Sequence, residues 1–168
     1  MYFKAMPKIF YPTGKGGQTV TTDIFRRVQL DKFFKNRTNL GAYYIPDGMT
    51  PELVAKQQYG STKYHWIVLL ANEILDVQRE WPKSNEEITL YVKDKYGADN
   101  STDVHHYVLT ANKTIVVDWD AVKSADGTYT AVTNRDYEEE VNDTKRQIFI
   151  LDPIFLSSIV KQFRSLIS

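Results

Sequence analysis

The sequence predicts an α+β fold, because helical and strand patterns both occur along its 168 residues. Three observations support this prediction. A strand, a helix, a tight turn and a second helix follow one another between residues 43 and 72. From residue 104 the apolar period changes from that of a helix to that of a strand, and over residues 153–168 it is helical again.

Composition limits the size, the partners and the chemistry of the protein. A chain of 168 residues with 42% apolar residues suits one domain, or a small module with appendages, around a sizeable core. Lys+Arg and Asp+Glu are both 21, and this balance argues against nucleic-acid binding through phosphate neutralisation while favouring protein association. Cysteine is absent, which excludes disulfides and thiolate metal sites. With no signal peptide and no apolar run near the ~20 residues of a membrane span, we expect a protein that is soluble where it is made.

Residues 1–41 are predicted to form an extended N-terminal arm. Pro7, Pro12 and the glycine-rich run 13–17 favour extended, flexible backbone, and one short helix around residues 22–28 is compatible with the pattern. Such an arm is too short to bury its own phenylalanines, which must pack on the rest of the chain or on another protein. The candidate interface residues of the arm are Phe25, Arg26, Phe33 and Phe34.

The clearest local signals lie between residues 43 and 72. Gly48 follows a short aromatic strand and permits a tight turn, because glycine accepts a positive φ without steric cost. Thr50, followed by proline, suits the N-cap of a helix that ends where Gly60 supplies the C-terminal cap. A second helix is expected over the apolar run 66–71, which predicts burial on every side.

The order of these elements and the residues in them resemble the LysM module. The resemblance is closer to one branch, the LysM-like baseplate wedge proteins of contractile-tailed (T4-like) bacteriophages, of the wedge protein 53 type. In that branch a Tyr-Gly pair precedes an aromatic-rich helix, an asparagine and an acidic stretch that ends in tryptophan, as at residues 76–82 here. The resemblance implies a LysM-like module at residues 42–82. Its motif positions are Gly48, Thr50, Val54, Ala55, Tyr59, Gly60, Trp66 and Asn72.

The C-terminal region, residues 83–168, begins with a helix and a hairpin. Ser84 and Glu87 have the spacing of a capping box, and Gly97 marks the end of the helix that this box opens. Two runs of strand period within residues 104–119 predict a β-hairpin.

The remainder of this region is predicted to contain a second hairpin, a charged helix, a short strand and a terminal helix. Asp126-Gly127 is interpreted as the second hairpin turn, and Asn134 as the N-cap of a helix that ends at Lys145. A strand at residues 148–151 precedes Asp152, which caps an amphipathic terminal helix. The candidate interface residues of this helix are Phe155, Ile159 and Phe163, which could equally belong to the protein's own core.

Catalytic and ligand-binding interpretations of the sequence are weaker than structural ones. The glycine-rich run 14–17 lacks the hydroxyl residue that follows lysine in a phosphate loop. His105 and His106 lie on a predicted strand and should therefore point to opposite faces, away from a common metal. Asp118 and Asp120 are interpreted as a solvated strand end rather than an acid–base pair. We therefore expect no enzyme, no metal and no cofactor.

By resemblance, the protein is a structural subunit of a bacteriophage tail baseplate wedge. The resemblance implies that it joins neighbouring wedges into the baseplate ring during tail assembly, in six or more copies. Its partners are then other wedge proteins and hub or sheath-initiating tail proteins, without nucleic acid or membrane. It is expected to be a late protein that assembles in the host cytoplasm and remains in the virion. The alternative is a LysM protein that binds peptidoglycan or chitin-type glycans through its tyrosines and tryptophans.

Overall fold

The computed structural model describes residues 6–14, 16–23 and 39–167 of the chain. It confirms the α+β class, because short helices and small sheets both contribute to the described part. The chain divides into two compact units. Unit 1 draws on Met1–Ile45, Met49–Glu80 and Ile148–Ser168, and unit 2 on Pro46–Gly48 and Trp81–Gln147.

The helices and strands are as follows. The strands are β1 (Lys8–Thr13), β2 (Gly17–Thr22), β3 (Leu40–Tyr44), β4 (Val104–Leu109), β5 (Asn112–Val117), β6 (Tyr129–Thr133) and β7 (Gln147–Leu151). The α-helices are α1 (Pro51–Tyr59), α2 (His65–Ala71), α3 (Val77–Glu80), α4 (Asn85–Tyr96), α5 (Ala121–Ala125), α6 (Asn134–Thr144) and α7 (Leu156–Ile167). Short 3₁₀ turns at Thr62–Tyr64 and Pro153–Phe155 precede α2 and α7. Within the described residues the strands form three sheets, which are β1–β2, β3–β7 and β5–β4–β6.

The centre of unit 1 is a strand, two helices and a second strand. β3 leads into α1 and α2, and β7 pairs with β3 to complete the arrangement. The second strand of this arrangement does not come directly after Asn72. It is β7, which follows Trp81–Gln147 of unit 2 in the sequence. The partner of β3 therefore comes from a distant part of the chain.

The two helices of this centre begin and end as their sequence predicts. Thr50 is the N-cap of α1, and its hydroxyl accepts a hydrogen bond from the amide of Leu53 at 3.4 Å. Gly60 ends the helix in the left-handed conformation, with a φ of 74°. Between these caps, Val54 and Ala55 are fully buried. α2 is less buried than predicted, since Ile67 and Val68 are its buried residues and the others are partly covered.

Asn72 and Tyr59 hold β7 through side-chain hydrogen bonds. The Asn72 amide nitrogen donates to the carbonyl oxygens of Val68 and Phe149, both at 2.8 Å, and its oxygen accepts from the Phe149 amide at 2.8 Å. The Tyr59 hydroxyl donates to the Leu151 carbonyl at 3.1 Å. Burial raises the pKa of Tyr59 to about 12, so the donor stays protonated across the physiological range. These contacts join residues that are far apart in sequence.

Unit 2 contains the three-stranded sheet together with α4 and α6. The capping box of Ser84 and Glu87 opens α4, as predicted. Two other predictions were wrong. Residues 121–125 form a helix rather than a hairpin strand, and β6 pairs with β4 across the sheet. Thr133 is the N-cap of α6 because it forms the capping box with Asp136, and Asn134 is its first helical residue.

An ion-pair cluster ties together three segments of unit 2. Arg146 is 6% exposed, and its guanidinium donates to Asp143 at 2.9 Å, to Asp47 at 3.1 Å and to the Lys83 carbonyl at 3.3 Å. The Asp47 carboxylate also accepts from the amide of Asn85, at the start of α4. Burial opposes the charge of Arg146, but the bonds to both aspartates outweigh it and raise the pKa of its guanidinium.

A hairpin near the N-terminus was not predicted from the sequence. β1 and β2 pair in antiparallel register from Lys8 with Thr22 to Thr13 with Gly17. The glycine-rich run that suggested a flexible linker contains the turn, where Gly16 has a φ of 79°. Most of the helix suggested around residues 22–28 lies outside the described residues.

Candidate interaction surface

The interface residues expected on the arm and on the last helix are placed very differently. Phe25, Arg26, Phe33 and Phe34 lie outside the described residues. On α7, Ile159 is 0% exposed and Phe163 is 4% exposed. Phe155, in the 3₁₀ turn before α7, packs against the same core. The ring of Phe163 lies 4.3 Å from that of Trp66, measured between centroids. The stripe of α7 therefore faces the protein's own core, which is one of the two placements that the sequence left open for it.

Among the exposed apolar side chains in the described part of the chain, two groups of three or more lie on strands or directly after one. The first, which we call the hairpin surface, consists of Phe10, Tyr11 and Val20 on β1 and β2. The second, which we call the edge surface, consists of Ile115, Val116, Trp119 and Val122 on β5 and the segment after it. Phe10 is 71% exposed and Val116 is 66% exposed, although both belong to residue types that are usually buried.

Both surfaces lie on strands that have an unpaired edge among the described strands. The sheet of the hairpin has two strands, and an isolated two-stranded hairpin is marginally stable in water. In unit 2, β5 lies at the end of the order β5–β4–β6, so one of its edges has no strand beside it. Exposed apolar residues on an open strand edge mark a site for pairing with another chain.

The sequence carries one signal for the hairpin surface, which is its strand propensity. Residues 8–11 and 18–22 are rich in threonine, valine and aromatic residues, which favour strands. The apolar alternation needed to infer a buried face is absent there, because neither strand is covered in unit 1.

Most of the aromatic residues that suggested a glycan platform are packed within the chain. The rings of Tyr59 and Tyr64 meet edge to face with centroids 6.3 Å apart, both against the core of unit 1. Trp66 stacks on Phe163, and Trp81 is buried. Tyr44, by contrast, is exposed. The motif aromatics thus stabilise the fold of this chain.

The two adjacent histidines contradict the prediction that they point apart. Their Nδ1 atoms are 2.9 Å from each other, because a register shift between Val104 and His106 displaces His105 from the regular alternation. His105 stacks on the ring of Tyr137 with centroids 4.0 Å apart. Within the described residues, no group of three or more His, Asp or Glu side chains is placed to hold a metal ion.

Two acidic residues of unit 2, Asp120 and Glu138, have structural partners. Asp120 accepts hydrogen bonds from the amides of Val122 and Lys123 and so caps α5. Glu138 is buried and accepts from Lys95 at 2.6 Å and from the Tyr96 hydroxyl at 2.8 Å. Burial favours the neutral acid, but these two bonds outweigh it and lower the pKa of Glu138. The pair connects α4 to α6.

None of the helices in the described part of the chain combines the length and apolar character needed to cross a bilayer. Comparison with protein families found a match to the family described as Base plate wedge protein 53, over residues 1–151. No curated protein sequence gave a significant match.

Proposed function

Since the chain belongs to the Base plate wedge protein 53 family, we propose that it joins neighbouring wedges into the closed baseplate ring during tail assembly. Membership of this family makes it a structural protein of the virion, located in the baseplate of a bacteriophage tail, whose partners are other baseplate proteins. We further propose that these partners include hub or sheath-initiating proteins and that each baseplate holds six or more copies.

The observation that carries the joining role is the presence of two separate exposed strand surfaces. The hairpin surface belongs to unit 1 and the edge surface to unit 2. A subunit that links two neighbours needs at least two contact areas, and exposed aromatic and aliphatic residues are the typical core of such contacts. The core of unit 1 already uses the α7 residues, so these surfaces are the better candidates.

We also propose that the strand–helix–helix–strand centre of unit 1 is LysM-like and that the chain belongs to the T4-like branch. The caps at Thr50 and Gly60 and the buried pair of Val54 and Ala55 support this proposal. We propose 1–41, 42–82 and 83–168 as the divisions of the sequence.

The joining role is tested by removing the protein from an infection. Electron microscopy of tail intermediates, with and without a complementing copy of the gene, counts single wedges and closed baseplates. The proposal predicts that wedges accumulate without the protein and that closed rings return with it. Closed baseplates formed at the normal number in its absence would refute it.

The alternative function is binding of peptidoglycan or chitin-type glycans, which the LysM-like order of elements favours. A sedimentation assay with purified peptidoglycan tests it directly. The packing of Tyr59, Tyr64 and Trp66 predicts that the chain stays in the supernatant. Retention that disappears in a Tyr44→Ala variant would instead support glycan binding, because Tyr44 is exposed.

A further inference from the structure

We propose that the hairpin of one copy adds to the open edge of the sheet in a second copy, with β2 pairing along β5. The inference rests on the proposed function, because wedge joining brings copies of the chain into one ring. The contact would be made between two different surfaces of the same protein, the hairpin surface and the edge surface. Such a head-to-tail contact is of the kind that closes a ring when the rotation between copies permits.

Backbone hydrogen bonding selects β2 as the donor strand of the hairpin. β1 contains Pro12, which has no amide hydrogen and therefore blunts that edge. β2 contains neither proline nor a charged residue, and its sequence GQTVTT favours extended backbone. Among the described strands, the open edge of the hairpin that suits pairing is therefore that of β2.

The acceptor edge on β5 is equally unprotected. β5 has the sequence NKTIVV, with one lysine and no proline, and all of its residues except Val117 are exposed. Natural proteins usually protect an edge strand with proline, several charges or a covering element. β5 pairs with β4 at three positions, with a shift of register between Val108 and Leu109, and no described strand lies along its other edge.

The length, charge and side chains of the two surfaces are complementary. β2 and β5 each have six residues, which permits pairing over their full length. Residues 8–22 contain two lysines and no acidic residue, whereas residues 112–122 contain two aspartates and one lysine. Strand addition would also place Val20 beside β5, whose Val116 is likewise exposed in the single chain. These features together favour a second copy as the occupant of the edge.

The chain has no cysteine, so an introduced cysteine is the only thiol that a cross-linking reagent can modify. Full-length chains carrying Thr19→Cys in β2 are mixed with chains carrying Thr114→Cys in β5, and a short bis-maleimide reagent is added. Since the two cysteines are on different chains, a mixed product reports a contact between copies. In the matched control the Thr114→Cys chain is replaced by Leu90→Cys, an exposed position on α4.

The proposal predicts a mixed product about tenfold above this control, equivalent to roughly 1.4 kcal/mol. Adding Val116→Lys to the β5 variant should lower the product about tenfold, because a charge on an edge strand opposes pairing. Adding Leu90→Lys should leave it unchanged. Circular dichroism verifies that each variant is folded. A product no greater than the control, or one insensitive to Val116→Lys, overturns the inference.

Failure of this inference and failure of the proposed function give different results. If ring closure requires the protein but the purified chains give no cross-link, the joining of wedges stands and the contact between copies is overturned. Cross-linking that depends on Val116, together with normal rings in the absence of the protein, supports the contact and refutes the joining role.

Discussion

Replacement of Asn72 by alanine should destabilise unit 1 more than any replacement of an exposed polar residue. The side chain makes three hydrogen bonds of 2.8 Å with the backbone, two of them with Phe149 in β7. Each net hydrogen bond contributes about 1 kcal/mol, and a buried backbone group that loses its partner costs about 1–3 kcal/mol. We therefore expect Asn72→Ala to lower the free energy of unfolding by about 2–4 kcal/mol.

Urea unfolding followed by circular dichroism measures this loss, and hydrogen exchange locates it. The amide of Phe149 should exchange faster in the variant, because its hydrogen-bond acceptor on Asn72 is gone. The control is Asn85→Ala, an exposed asparagine whose replacement should change stability by about 0.5 kcal/mol or less. A loss below about 1 kcal/mol, or unchanged exchange at Phe149, would refute the assignment of Asn72 as the residue that holds β7.

Three further predictions concern stability. Because the folded pKa of Glu138 is lowered, its ion pair stabilises the protein fully above the ordinary value of 4.5 and loses this effect as the pH falls through the folded value. Urea unfolding between about pH 5 and 3 should show a steeper loss in the native protein than in Glu138→Gln, and equal slopes would contradict this. Arg146→Met should lower the free energy of unfolding by about 2 kcal/mol in the same assay. This is less than the loss for a fully buried ion pair, because Asp47 and Asp143 are partly exposed to water. No loss would mean that the cluster does not stabilise the protein. Gly60→Ala should lower the free energy of unfolding by about 1 kcal/mol, because φ is 74° there although a Cβ would meet open space. Gly14→Ala, at an equally open site without a positive φ, should be nearly neutral. Equal effects of the two changes would show that φ does not limit Gly60.

Local signals in the sequence predicted local structure well. Thr50 and Ser84 cap their helices as expected, and Gly60 ends α1, because a cap depends on residues within one turn of it. Asp152 caps the 3₁₀ turn that leads into α7 rather than α7 itself. The cap of α6 was misplaced by one residue, since Thr133 completes a capping box that Asn134 cannot.

Pairing between distant segments was beyond what the sequence pattern could predict. β7 completes the centre of unit 1 from the far side of Trp81–Gln147, and a short strand carries no mark of its partner. A bulge at His105 likewise has no signature in the residues around it, so the two histidines were placed on opposite faces.

The candidate interface was difficult to predict for a related reason. The apolar stripe of α7 indicates that one face of the helix is covered, but periodicity is the same whether the cover is the protein's own core or a partner. Ile159 and Phe163 belong to the core. The hairpin surface has the opposite pattern, because its exposed residues lie on strands of high β-propensity. The glycine-rich turn between these strands led to their interpretation as a flexible linker.

The joining of neighbouring wedges is tested most directly by an electron cryomicroscopy map of the intact baseplate. The map shows which subunits each copy of this protein contacts. We predict that every copy touches proteins of two adjacent wedges, and that its hairpin surface and edge surface are both covered. A map in which each copy lies within a single wedge, with both surfaces open to solvent, would contradict the proposed function.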